Sequence, residues 1–166
     1  PPEQAMIWRG PMVQSALIQM LDDVAWPELD ILVLDMPPGT GDIQLTTAQR
    51  IPVDGVLIVS TPSALAQADA RRAKAMFEKT DVPVLGLIEN MGFLDAPDGT
   101  RMHPFGSPSA DALATLPLDA NVHAAAESGV PVVIDAPQSA VARAFSGLAT
   151  TITGRPVSYT HLRAHE

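Results

Sequence analysis

The stretch ILVLDMPPGTGD, Ile31 to Asp42, decides how the rest of the chain is read. Ile31 to Leu34 are apolar without a break, the pattern of a strand buried on both faces of a parallel sheet. Asp35 closes the run. In open α/β sheets ligands bind beyond the carboxyl ends of the strands, so Asp35 sits where a carboxylate can hold a magnesium-bound water. Pro37, Pro38, Gly39 and Gly41 then break regular structure. A glycine lets a backbone N–H approach a phosphate that a side chain would obstruct. The prolines limit the loop's conformations and still leave room for a switch tied to hydrolysis. A Pro/Gly turn ending an ordinary core strand is the better explanation of "strand, Asp, turn" alone, but the full D-x-P-P-G-T-G-D string reverses that preference in favour of the phosphate-handling reading.

Working outward, Pro11 to Trp26 carries Val13, Ala16, Leu17, Met20, Leu21 and Val24 at helical spacing, one stripe expected to be buried. Ile43 to Arg50 is expected to resume as a short helix. Gly55 to Ser60 (GVLIVS) reads as a second buried strand, Ala64 to Lys79 as a helix, and Val82 to Ile88 as a third strand ending at Glu89 and Asn90. Strands alternating with helices predict an α/β fold, a doubly wound, mostly parallel sheet with flanking helices. Asp35, Ser60 and Asn90 then all fall at carboxyl ends of strands. Phe93 to Ser109, with Pro97, Gly99, Pro104, Gly106 and Pro108, reads as loop. Leu113 to Leu118 is a candidate strand, and Ser139 to Thr153 a closing helix with Val141, Phe145 and Leu148 inward. Residues 1–156 read as part of one domain. The tail 157–166, VSYTHLRAHE, has no period and a composition unlike the rest, as a non-native extension would.

Composition narrows the function classes. A hydrophobic share of 46% against 17% charged residues describes a globular chain. The net charge of −9 lacks the basic footprint of a nucleic-acid binder. No apolar run reaches the roughly 20 residues of a membrane helix. There is no cysteine, so this chain offers no disulfide and no thiolate for zinc or an iron–sulfur cluster.

The strings themselves are more specific than the pattern. DMPPGTGD resembles switch II of the Mrp/ApbC branch of the MinD-like, deviant-Walker P-loop ATPases. IWRGPM (Ile7 to Met12), STPSALAQADARRA (Ser60 to Ala73), VPVLGLIENM (Val82 to Met91) and PLD (Pro117 to Asp119) resemble that family's segments in the same order, covering Ile7 to about Leu148. The resemblance implies ATP binding and hydrolysis coupled to iron–sulfur cluster assembly by a cytoplasmic homodimer that closes on ATP, with iron–sulfur apo-proteins or scaffold proteins as partners. It implies that Asp35 supports Mg²⁺, that the Gly39 N–H meets the γ-phosphate, and that Asn90 hydrogen-bonds adenine. Pro117 and Asp119 would lie against the base. Asp69 and Arg71 read as exposed helix or interface residues.

This sequence departs from the family pattern in three respects. The family's Gly-rich phosphate loop would lie upstream of Pro1, so the 166 residues alone are expected to be inactive and aggregation-prone. Family members commonly place C-x-x-C after the E-N-M strand to hold a 4Fe–4S cluster between subunits. Here Gly92 to Gly106 offers only Asp95, Asp98 and His103, hard or borderline ligands, and is expected to hold no cluster. Ser107 to Leu116 is too short for the family's helix and part-strand. Two other functions remain open: a MinD/ParA-type partitioning ATPase, and a cluster-free scaffold that keeps the fold.

Overall fold

Parallel strands need a crossover between them, and the second half of the chain supplies one, a helix between its first two strands. The computed structural model describes residues 10–36, 44, 51 and 53–154. It divides the chain into two units, Pro1–Pro52 and Val53–Glu166.

In the second unit β1 (Val56–Ser60) leads into α2 (Ala64–Lys79), which follows α1 of the first unit (Gly10–Asp22), and returns as β2 (Val84–Asp95). The Ser63 hydroxyl caps α2 by accepting from the Ala66 N–H at 3.3 Å, and Lys79 stands in its last turn, where a cation suits the helix dipole. Asp69 pairs with Arg72, one turn on, not with Arg71. β1 and β2 run parallel, with Ser60 opposite Glu89. β4 (Ala114–Pro117) lies parallel on the other side of β2, Thr115 opposite Glu89. Ile58, Ile88 and Leu116, one from each parallel strand, are buried at the sheet centre.

Three features depart from the expected layout. β2 runs past Asn90 to Asp95 and turns back through β3 (Arg101–Met102), an antiparallel hairpin inside the segment expected to be loop. Gly99, at φ +85°, makes its turn, and the Ala96 N–H donates to the Thr100 carbonyl at 2.9 Å. The passage from β2 to β4 therefore runs through a hairpin and a loop, not a helix. Third, α3 (Ala120–Ser128) and α4 (Val132–Asp135) fill a stretch to which the sequence reading assigned no element. Asp119 caps α3, and Gly129 ends it in the left-handed conformation at φ +71°. With α5 (Ala140–Thr153), these helices bury Ala125, Val132 and Val141, against which Val122, Ala136 and Phe145 pack.

The first unit corrects two expectations. Ile31 to Met36 is not a strand, and Val33 is 84% exposed. A strand needs neighbours for its N–H and C=O groups, and among the described residues this segment enters no ladder. Among the described side chains, the stripe on α1 is likewise not buried. Ala16, Leu17 and Leu21 are half-covered, while Met20 and Val24 are exposed. The indole of Trp26 folds back to donate to the Met20 carbonyl at 3.1 Å, closing the helix end. Of the short helix expected at Ile43 to Arg50, only Gln44 is described, and it is helical.

Candidate functional site

The site lies in the second unit, at the carboxyl end of the parallel strands, where β2 changes direction. Between Glu89 and Phe93 the β2–β4 register slips, and Met91 takes φ +56°, a left-handed conformation seldom adopted by a residue with a branched or long side chain. Gly92 completes the bulge. A Cβ there would stand 2.2 Å from Thr115 Cγ2, so only glycine lets β2 and β4 come this close. The string E-N-M-G is thus a bend with a separate task at each position.

Glu89, 1% exposed, faces into the protein. Its Oε1 accepts from Gln67 Nε2 at 2.7 Å and its Oε2 from the Ser109 N–H at 2.8 Å. Gln67 Nε2 also donates to the Thr61 carbonyl at 3.1 Å. Asn90 is half-buried, and its Oδ1 accepts from the Met91 N–H at 3.0 Å. Among the described residues Asn90 Nδ2 has no partner. Pro117 ends β4 opposite Phe93, and the Leu118 N–H donates to the Phe93 carbonyl at 2.7 Å. Asp119 is committed to α3, where Oδ1 accepts from the Asn121 N–H and from Asn121 Nδ2, both at 2.8 Å.

The loop after β3 closes against the same end of the sheet. His103 Nδ1 lies 2.9 Å from the Gly92 carbonyl. Gly106 has φ +109°, and a Cβ there would stand 3.3 Å from the Pro62 carbonyl oxygen. The hairpin's other candidate ligands are occupied locally. Arg101 grips Asp95 through two hydrogen bonds, Nε to Oδ1 at 2.7 Å and an Nη to Oδ2 at 2.8 Å, and lies 3.8 Å from the Phe93 ring centroid. The Arg101 hydrogen bonds hold the Asp95 carboxyl below its ordinary pKa, and the Thr100 N–H does the same for Asp98. No group of three potential ligands suited to a metal occurs among the described residues.

Of the residues singled out from sequence, Asn90, Pro117 and Asp119 fall on the neighbouring ends of β2 and β4. Asp35 belongs to the first unit, where it is exposed. Gly39 lies outside the described residues, as does the tail 157–166. Sequence reasoning missed Glu89, Gln67 and Ser109. The signal was an acid closing an apolar run, the same signal read at Asp35.

A family model described as the NUBPL iron-transfer P-loop NTPase matches residues 1–153. The chain belongs to that family. An iron–sulfur cluster carrier protein of Deinococcus radiodurans is 44% identical to this NUBPL-type chain over 163 residues, covering 93% of it and 47% of the relative. The chain thus spans about half the length of the curated relatives it matches. Among solved structures, a nucleotide-binding protein of Archaeoglobus fulgidus in complex with ADP superposes with a TM-score of 0.63 at 36% identity, covering 71% of this chain and 53% of the other. The cell-division ATPase MinD of Pyrococcus furiosus has the same TM-score, 0.63, at 19% identity over 90% of this chain and 62% of its own, a likeness of fold alone. The α/β P-loop NTPase fold expected from the strings is therefore shown, with a mostly parallel sheet and flanking helices. No helix among the described residues is long and apolar enough to cross a membrane.

Proposed function

We propose that the whole protein is an ATP-hydrolysing iron–sulfur cluster carrier or assembly factor. It works in the cytoplasm as a homodimer and delivers to iron–sulfur apo-proteins or scaffold proteins. Residues 1–156 form part of its ATPase domain, and 157–166 are an unrelated tail. The observation that carries the reading is the bend at Glu89–Gly92, which leaves Asn90 Nδ2 without a partner among the described residues, where an open α/β sheet takes its ligand. An amide N–H there can donate to a ring nitrogen of adenine, with Pro117 beside the base. Asp119 can line the same edge while it caps α3.

Asp35 fits magnesium: it is an exposed, hard oxygen donor of the kind that holds Mg²⁺ through water. The ion would neutralise charge on the phosphates, and the Gly39 N–H would meet the γ-phosphate. The residues' own contribution is positioning, the main part of phosphoryl transfer. In the full-length protein Asp35→Asn should lower ATP turnover at least a hundredfold, about 2.7 kcal/mol of barrier. The melting temperature should stay put, since Asp35 is exposed. Turnover within twofold of wild type would remove Asp35 from the mechanism.

The cargo is a separate matter. Asp95, Asp98 and His103 each have a partner already, and none supplies sulfur. This favours a second reading, in which the hairpin is a cluster-free scaffold and any cluster is held elsewhere. Anaerobic reconstitution of the full-length protein, beside a variant with all three changed to Ala, separates the two. A thiolate-type absorption band lost in the variant would return cluster binding to the hairpin.

A further inference from the structure

Glu89 is the one acidic side chain buried at the sheet centre among the described residues. Burying a carboxyl is costly unless it is hydrogen-bonded, and an apolar side chain of similar size would usually serve stability as well. Both oxygens of Glu89 are satisfied, by donors from different segments. Gln67 stands in the first turns of α2 and is itself tied to the Thr61 carbonyl. Ser109 lies in the loop that returns to β4. These two segments flank the bend, and Asn90 is the next residue along the chain. From this geometry we infer that Glu89 is a positioning residue for the nucleotide. It draws the β1–α2 passage and the 103–113 loop onto the bend and so fixes the direction in which Asn90 presents its donor. The inference rests on the reading that an adenine nucleotide binds at this end of the sheet.

The arrangement makes an asymmetric demand. Two N–H donors converge on one carboxyl, so both of its oxygens must accept. Glu89→Gln keeps the volume but turns an amide NH₂ toward one of those donors, leaving a buried N–H facing N–H. In the full-length protein, ADP affinity measured calorimetrically well below the melting temperature should fall about tenfold, the size expected when the Asn90 donor is no longer held in line with the base. The KM for ATP should rise with it, while kcat at saturation stays within about twofold. Gln67→Met removes one donor, keeps a helix former in α2 and leaves the Ser109 bond, so ADP should weaken by about threefold. In the ligand-free protein, the amide resonances of Asn90, Met91 and Gly92 should move in Gln67→Met, whose site is 22 residues from Glu89 in sequence, which a role confined to global stability would not require.

The outcomes separate cleanly. Wild type that binds ADP beside folded variants with affinity within about twofold overturns this inference and leaves the nucleotide reading standing. Wild type that binds no adenine nucleotide overturns both. Should Glu89→Gln fail to fold, Gln67→Met decides alone: unchanged affinity and unchanged Asn90 resonances sink the proposal.

Discussion

Ile31–Asp35 and Val84–Glu89 are written in the same way, each an apolar run closed by an acid, yet only one of them is a strand. Val84–Glu89 has β1 on one side and β4 on the other, and Ile88 is 5% exposed. Ile31–Asp35 enters no ladder among the described residues and leaves Val33 at 84% exposure. Apolarity says that a segment would gain from burial. Whether it becomes a strand depends on neighbours that accept its hydrogen bonds, and no local pattern carries that information.

Core truncation is the strongest way to break the comparison. Ile88→Ala should cost about 2–5 kcal/mol in a denaturant titration, and Val33→Ala should stay within about 0.5 kcal/mol. Equal losses would mean that Ile31–Leu34 is packed in solution, and the contrast would collapse. The bend at the end of β2 gives a smaller effect. Gly92→Ala forces a Cβ onto Thr115 Cγ2 and should cost about 1–3 kcal/mol, with Thr115→Ser, which deletes that methyl, recovering most of it. If Thr115→Ser recovers nothing, the penalty arises from the backbone and not from the close approach.

Smaller again is the cap. Asp119→Ala should lower stability by about 1 kcal/mol, and Asp119→Asn, which keeps an accepting oxygen, by much less. ADP titration of the same pair asks whether Asp119 also touches the base: if so, affinity falls in both variants, and if it is only a cap, neither affinity moves. The smallest effect concerns the hairpin. Arg101 holds Asp95 below its ordinary pKa, so the pair is intact at neutral pH and its contribution is lost only as falling pH protonates Asp95 in the folded state. Protection factors at the Arg101 and Met102 amides, which divide out the intrinsic pH dependence of exchange, should be flat from neutral to mildly acidic pH and fall below the ordinary carboxylate range. The global unfolding midpoint should follow the whole protein's acid curve and not this exposed pair.

How legible the molecule was follows from the same physics. β1, α2, the parallel part of β2, β4 and α5 could be read because burial and local propensity agree there, as in the Ser63 and Ser139 caps. α3 was missed although its ends are signed, with Asp119 as cap and Gly129 as stop. Its ANVHAAAES has too weak an apolar stripe to draw attention. The hairpin was hidden by its own punctuation: Pro97 and Gly99 are what a tight turn needs, and they read as loop. Asn90 was singled out by its place at a strand end and, like Pro117, by resemblance to a family. Glu89 could not be found that way, because its importance lies in Gln67, 22 residues earlier, and Ser109, 20 residues later. Such a tie exists only once the chain has folded.

The left-handed turn at Met91 has a consequence for how this architecture can vary. It works as a clutch between two gear trains: upstream of it β2 is locked in step with β1 and β4, and downstream, among the described residues, it meshes only with β3, apart from the pairing of Phe93 with Pro117. A residue added or removed at the hairpin tip is absorbed beyond the clutch, so the parallel ladder need not slide and no core side chain changes face. The hairpin is therefore a replaceable head on a fixed drive. Its length and chemistry can be changed while Asn90 and the strand ends around it keep their places.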